Sequence, residues 1–233
     1  MSGSLVSAST RQRVRDLATP IARGLGRLGL TPNALTLIGF LGTCAAAVAA
    51  ASQLWLLAGV LVLVFGIFDL FDGTLARATG RATRFGAFLD STFDRAGEAI
   101  VYIGIAAGSL AGGFELGAVL AAAAMAASFM VSYTRAKAES LGFTSGSGMS
   151  NVGLAPREVR IGILALALVL TAADGGIAES LLYLQEIALP FGLSLDAIRG
   201  REFLTSGLGV ITALAILTTI QRTLHVRAQS REG

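Results

Sequence analysis

"FDLFDGTLARATGRATRFGAFLDSTFD", residues 68–94, sets two pairs of carboxylates, Asp69/Asp72 and Asp90/Asp94, in a chain that otherwise reads like the inside of a bilayer. Of the 233 residues, 54% are hydrophobic and only 14% are charged, and the mean hydropathy is +0.71. That balance lies outside the range of ordinary soluble domains and predicts an integral membrane protein. The first two acids are three residues apart and the second two are four apart, so each pair shares one helical face. One pair ends an apolar run and the other opens the next. The polar stretch between them is long enough to reverse the chain, which predicts that the two pairs face each other near one membrane surface.

Working outward, apolar runs predict an all-α, polytopic fold with six transmembrane helices near 34–52, 54–76, 86–111, 114–138, 157–173 and 203–222. Residues 1–10 are expected to be disordered. Residues 11–30 alternate apolar Val14, Leu17, Ile21, Leu25 and Leu28 with Arg11, Arg15, Arg23 and Arg27, the pattern of an amphipathic helix lying in the interface. "LTPN" breaks that helix at Pro32 and opens a six-helix transmembrane domain over 31–226, followed by a tail at 227–233. Residues 174–202, apolar but interrupted by Glu179, Glu186 and Pro190, read as an interfacial helix or packed outer loop. "GSGMSNVG", 146–153, reads as a flexible connector over the mouth of the bundle.

Fifteen of the 18 Lys and Arg residues are segregated. Arg11, Arg13, Arg15, Arg23 and Arg27 precede the first span, and Arg77, Arg81 and Arg84 follow the second. Arg135, Lys137, Arg157 and Arg160 join the fourth to the fifth, and Arg222, Arg227 and Arg231 follow the sixth. With six spans all of these fall on one side, which the positive-inside rule makes cytoplasmic, with both termini and the acidic motif there. The net charge of +3 comes without a basic, aromatic soluble module, so nucleic acid is not an expected partner. Cys44, the single cysteine, excludes a disulfide framework and a thiolate metal site. No removable signal peptide is expected, because no short apolar stretch with a small-residue cleavage site follows the N-terminal arginines.

Four carboxylates in a poorly solvated space cannot all stay ionised unaided. One resolution is pairing with Arg77, Arg81, Arg84 or Arg95, or an ion pathway in a small cation transporter. The other is a pair of hard divalent cations held by carboxylate oxygens, a common clamp for phosphoryl chemistry. Gly73 and Gly86 favour the second by leaving room beside Asp72 and Asp90, and Arg77 offers a fork suited to phosphate oxygens.

The whole pattern, Asp69-x2-Asp72-Gly73-x2-Ala76-Arg77-x8-Gly86-x3-Asp90-x3-Asp94, resembles the signature of the CDP-alcohol phosphotransferase family. The resemblance implies six spans, an N-terminal interfacial helix and a homodimer. It further implies two Mg²⁺ or Mn²⁺ ions on Asp69, Asp72, Asp90 and Asp94, with Asp94 also the general base. A CDP-linked lipid, CDP-diacylglycerol or CDP-archaeol, would bind at Gly73, Arg77 and Thr83 with Thr31, Pro32, Asn33 and Ala34 nearby.

"SYTRAKAE", Arg157 and Arg160, and Gln221–Arg222 look most like the phosphatidylinositol-phosphate and archaetidylinositol-phosphate synthases. That implies a polar phosphate acceptor, inositol phosphate, held by Arg135, Lys137, Arg157, Arg160 and Arg222, with glycerol 3-phosphate as the alternative. The bland reading of these cations is membrane topology and anionic head groups. Glu98, one turn beyond Asp94, is expected to pair inside the bundle, and His225 to be an ordinary interfacial residue.

Overall fold

The computed structural model describes residues 19–143, 152–188 and 201–232, with the side chains of 69, 70, 174–188 and 232 outside that description. The regular structure in these residues is α-helical: α1 over 19–27, then α2 (Pro32–Ala51), α3 (Trp55–Ala78), α4 (Arg84–Ala111), α5 (Glu115–Ser140), α6 (Arg157–Ala188) and α7 (Arg201–Glu232).

The helix ends that matter for the site are written locally. Thr31 caps α2 by accepting the Ala34 amide at 3.2 Å, and Pro32 occupies the first turn, where its missing N–H costs nothing. At the end of α3 the Gly80 amide bonds the Arg77 carbonyl and the Arg81 amide bonds the Ala76 carbonyl, with Gly80 at φ +67°. This Schellman closure needs the left-handed conformation that glycine adopts freely. Thr83 then caps α4 by accepting the Gly86 amide at 2.9 Å. The short connection 79–83 therefore reverses the chain, but the expected direct α3–α4 pair does not form: α2 packs against both helices, so the two acid-bearing helix ends meet around the start of α2.

α2 packs against both α3 and α4, α5 against α4 and α7, and α6 against α3 and α7. The α2–α4 seam is unusually close. A Cβ at Gly104 would strike the Ala47 carbonyl, one at Gly108 the Ala50 carbonyl, and one at Gly97 would lie 3.1 Å from Thr43 Cγ2. Small residues that let backbones touch are the means by which helices associate without a hydrophobic driving force. The core around this seam joins Ala46, Ala50, Tyr102 and Ile105 to Leu164, Leu168, Leu208 and Ile211. Leu56, Leu57, Val60, Leu63, Val64 and Ile67 of α3 face outward and exposed, an apolar surface suited to lipid rather than water.

By length and composition α2, α3, α5 and α7 can each cross a membrane. Of the six expected spans, four thus meet that test. α4 carries Arg84, Asp90, Asp94, Arg95 and Glu98 in its first half, and α6 opens with Arg157, Glu158 and Arg160.

Four expectations are revised or bounded. The fifth helix does not end near 173 but runs on to Ala188, because backbone hydrogen bonding continues past Asp174 and Glu179; 189–200 lie outside the described residues. The expected tail is helical as far as Glu232. Of the expected interfacial helix, residues 19–30 are described, and they are helical over 19–27. Its Ala22 is sealed against Leu35 and Leu75, while Ile21 and Leu28 are exposed. Residues 146–151 of the expected connector also lie outside the description.

Candidate functional site

Two cavities open at the end of the bundle where α2, α4 and α6 begin and α3, α5 and α7 carry their basic residues. The smaller, about 190 Å³, lies between α2, α3 and α4. It is lined by Pro32, Asn33, Thr36, Asp72, Gly73, Ala76, Arg77, Arg81, Ala82, Thr83, Gly86, Ala87 and Asp90. The larger, about 330 Å³, is lined by Leu63, Gly66 and Ile67 of α3, Asp94, Arg95 and Glu98 of α4, and Val131, Ser132 and Arg135 of α5. Pro156, Arg157, Glu158, Arg160, Ile161 and Gly162 at the start of α6 and Arg222 of α7 complete it.

In the smaller cavity Asp72 is only 4% exposed. Its carboxylate accepts the Thr36 hydroxyl at 2.7 Å and the Gly73 amide. Those donors offset part of the cost of burying a carboxylate. Arg77 reaches the Thr74 hydroxyl at 3.5 Å. Gly73 and Gly86 both line this cavity: a Cβ on Gly86 would sit 3.1 Å from Thr83 Oγ1 and 3.2 Å from Asn33 Oδ1, and one on Gly73 would sit 3.4 Å from Arg77 Nη1. Thr31 and Ala34 act here through the α2 cap, and Pro32 and Asn33 line the space.

The backbone of Asp69 stands one turn before Asp72 on α3, its side chain being outside the description. Among the described residues no three His, Cys, Asp or Glu side chains converge closely enough to hold an ion. The donors that α3 and α4 bring to this end are nonetheless all carboxylates, the oxygen chemistry that Mg²⁺ and Mn²⁺ take.

In the larger cavity Asp94 is bridged to Arg157 at 2.9 Å. One turn deeper, Glu98 receives Arg160 through two bonds of 2.8 Å, to Nε and Nη2, while Arg160 Nη1 donates to the Ala155 carbonyl at 2.9 Å. Arg222 is 4% exposed; its Nε donates to the Val152 carbonyl at 3.0 Å and its Nη1 to the Val131 carbonyl. Arg135 pairs with Glu139 along its own helix at 2.8 Å. Lys137 stands apart, lining a separate space with Tyr133, Thr134, Leu141, Thr223 and Val226, to which Arg222 also contributes.

The structure therefore brings Asp72, Gly73, Arg77, Thr83 and Asp90 together, and separately Asp94, Arg135, Arg157, Arg160 and Arg222. Glu98 pairs inside the bundle as expected, and its partner is Arg160. Thr36 is a site residue that the sequence reading passed over. Its only signal is a hydroxyl one turn after Pro32 in an otherwise apolar helix.

The model of the family described as CDP-alcohol phosphatidyltransferase matches residues 29–196. The chain is 40% identical to an archaetidylinositol phosphate synthase of Pyrococcus horikoshii over 72% of this chain and 84% of that protein. It is 36% identical to one of Methanothermobacter thermautotrophicus over 93% and 91%. Among solved structures it resembles the Mycobacterium tuberculosis phosphatidylinositol phosphate synthase with CDP-DAG bound (TM-score 0.70, 26% identity, 91% of this chain and 94% of that one). It resembles the same enzyme in complex with manganese and citrate nearly as well (TM-score 0.69, 27% identity, 90% and 88%). The match spans most of the chain and contains the full acidic motif: the protein belongs to the CDP-alcohol phosphatidyltransferase family.

Proposed function

We propose that this membrane enzyme displaces CMP from a CDP-linked lipid by a hydroxyl of inositol phosphate, making a phosphatidylinositol or archaetidylinositol phosphate. The observation that carries the reading is the pair of cavities on either side of one turn of α4. The smaller has acids and small residues beside Arg77 and Arg81, as a metal-bridged nucleotide diphosphate requires. The larger sets five arginines against three carboxylates, an excess of positive charge suited to a phosphorylated acceptor. The relatives named archaetidylinositol or phosphatidylinositol phosphate synthase support this acceptor over glycerol 3-phosphate.

In this reading Asp69, Asp72, Asp90 and Asp94 hold two divalent cations, Mg²⁺ or Mn²⁺. Bound there, the cations neutralise the diphosphate and the departing CMP. Gly73, Gly86 and the α2 start leave space for the nucleotide, and Arg77 and Thr83 meet its polar groups. Asp94 takes the proton of the attacking hydroxyl. The acceptor oxygen bonds the lipid-linked phosphorus as the bond from that phosphorus to the CMP oxygen breaks. Arg157 orients the acceptor phosphate, with Arg135 and Arg222 alongside. Lys137 belongs to the same basic end and contributes long-range attraction. Arg160 serves the phosphate pocket from below, through its carboxylate partner.

The same reading gives six spans over 31–226, with α4 and α6 crossing as well. Residues 11–30 then form an interfacial helix, 1–10 and 227–233 flank the domain, and both termini and the site lie on the cytoplasmic side. The chain assembles as a homodimer among membrane lipids. Purified protein incubated with CDP-diacylglycerol or CDP-archaeol, Mg²⁺ and each of inositol phosphate, glycerol 3-phosphate, inositol and serine tests it. CMP release is expected with inositol phosphate; divalent-cation flux with no CMP release under any acceptor would establish a transporter instead.

A further inference from the structure

Backbone packing ties α4 to α2 and α5, and α6 to α3 and α7, so the larger cavity stands between α4 and α6 and long side chains cross it. Two ion pairs do so, one turn apart along both helices. Asp94 and Arg157 form the outer rung, at 2.9 Å with side chains 20% and 25% exposed. Glu98 and Arg160 form the inner rung, with side chains 9% and 2% exposed. The inner rung is two-pronged, and its arginine also grips the Ala155 carbonyl just ahead of α6. A planar guanidinium held at three points leaves its helix little freedom to shift or rotate.

We infer that Glu98 is a positioning residue for the acceptor phosphate: through Arg160 it fixes the first turn of α6 against α4, and so sets where Arg157 stands relative to Asp94. Glu98 lines the larger cavity, but both its carboxylate oxygens are taken up by Arg160. Its effect is geometric, since a displacement of about 1 Å in a group that orients a reactant can cost about a hundredfold in rate. The inference rests on the proposed function, in which Arg157 orients the acceptor.

Removing Glu98 alone would strand the Arg160 cation in the interior, so the decisive variant removes both charges. Glu98→Met combined with Arg160→Met fills similar volume without a buried charge, a replacement that buried ion pairs generally tolerate. In the CMP-release assay the double variant is expected to raise the KM for inositol phosphate about tenfold or more, with the KM for CDP-lipid unchanged. A folded double variant with the wild-type acceptor KM overturns the role, as does an equal rise in both KM values, which marks a merely structural pair. Should the double variant fail to fold, Glu98→Asp keeps the charge and shortens the reach by one methylene. It is expected to raise the acceptor KM alone, and the same two outcomes overturn the inference. Wild-type protein assayed in parallel separates the two claims. If it transfers to no phosphorylated acceptor, the functional reading itself falls; if it transfers normally and the variants match it, only the assignment of Glu98 falls.

Discussion

The hydroxyl of Thr36 on α2 donates to the buried carboxylate of Asp72 on α3 at 2.7 Å, linking the two helices at the floor of the smaller cavity. Thr36 also donates to the Pro32 carbonyl at 3.2 Å, so the same oxygen ties the capped start of α2 to the acid. Partners of this kind orient a metal-binding carboxylate, and losing one typically costs about ten- to hundredfold in metal affinity. Thr36→Val is therefore expected to raise the Mg²⁺ concentration giving half-maximal CMP release by that factor, with activity recovered at saturating Mg²⁺. Chelation should abolish the wild-type activity and Mg²⁺ or Mn²⁺ should restore it.

In the proposed reading Asp94 takes the acceptor proton. Asp94→Asn keeps the shape of the side chain and removes the base, an exchange expected to lower kcat about 10²–10⁴-fold while CDP-lipid still binds. Equilibrium binding of a CDP-lipid to the variant, set beside single-turnover kinetics, checks both halves. Normal turnover would move the base elsewhere.

Arg157 reaches into the larger cavity, paired with Asp94 at 2.9 Å. Arg157→Ala should raise the KM for inositol phosphate by about tenfold or more, in keeping with a charge-assisted hydrogen bond of ~1.5–3 kcal/mol. The KM for CDP-lipid should stay near the wild-type value. Arg157→Lys should restore part of the loss, since it returns the charge without the planar fork. An unchanged acceptor KM would reduce this arginine to a topological role.

The α2–α4 seam makes a prediction about stability instead of chemistry. A methyl at Gly104 would strike the Ala47 carbonyl, and backbone cannot move aside as a flexible side chain can. Gly104→Ala is expected to destabilise the fold by about 1–3 kcal/mol or more. Thermal unfolding in detergent should show it as a lowered Tm. Gly24→Ala, with no atom within 4 Å of the new methyl, serves as the neutral control.

The acidic motif was legible because helical periodicity converts spacing into facing: residues three and four apart share a face whatever surrounds them. The reversal after α3 was legible from the length of the polar stretch between the acid pairs, whereas the Gly80 closure and the Thr83 cap that execute it were passed over. What the sequence leaves open is long-range. Arg160 reads as one more cation available to phosphate, yet its guanidinium is taken up by a carboxylate 62 positions earlier in the chain. Thr36 was hidden because a hydroxyl in an apolar helix commonly bonds its own backbone, and here it does that and more. The end of α6 was misjudged because charged residues interrupt an apolar run without interrupting the helix.

One turn of a single α4 face carries Asp90 in the smaller cavity and Asp94 in the larger, so the two compartments adjoin along that face, each with an acid at its edge. In the proposed reading the two substrates then do not queue for one entrance. Each can be seated while the other is present, and transfer happens only when both compartments are filled. The kinetic form of such a layout is a ternary complex: intersecting double-reciprocal plots, and no exchange of labelled CMP into CDP-lipid while the acceptor compartment stands empty.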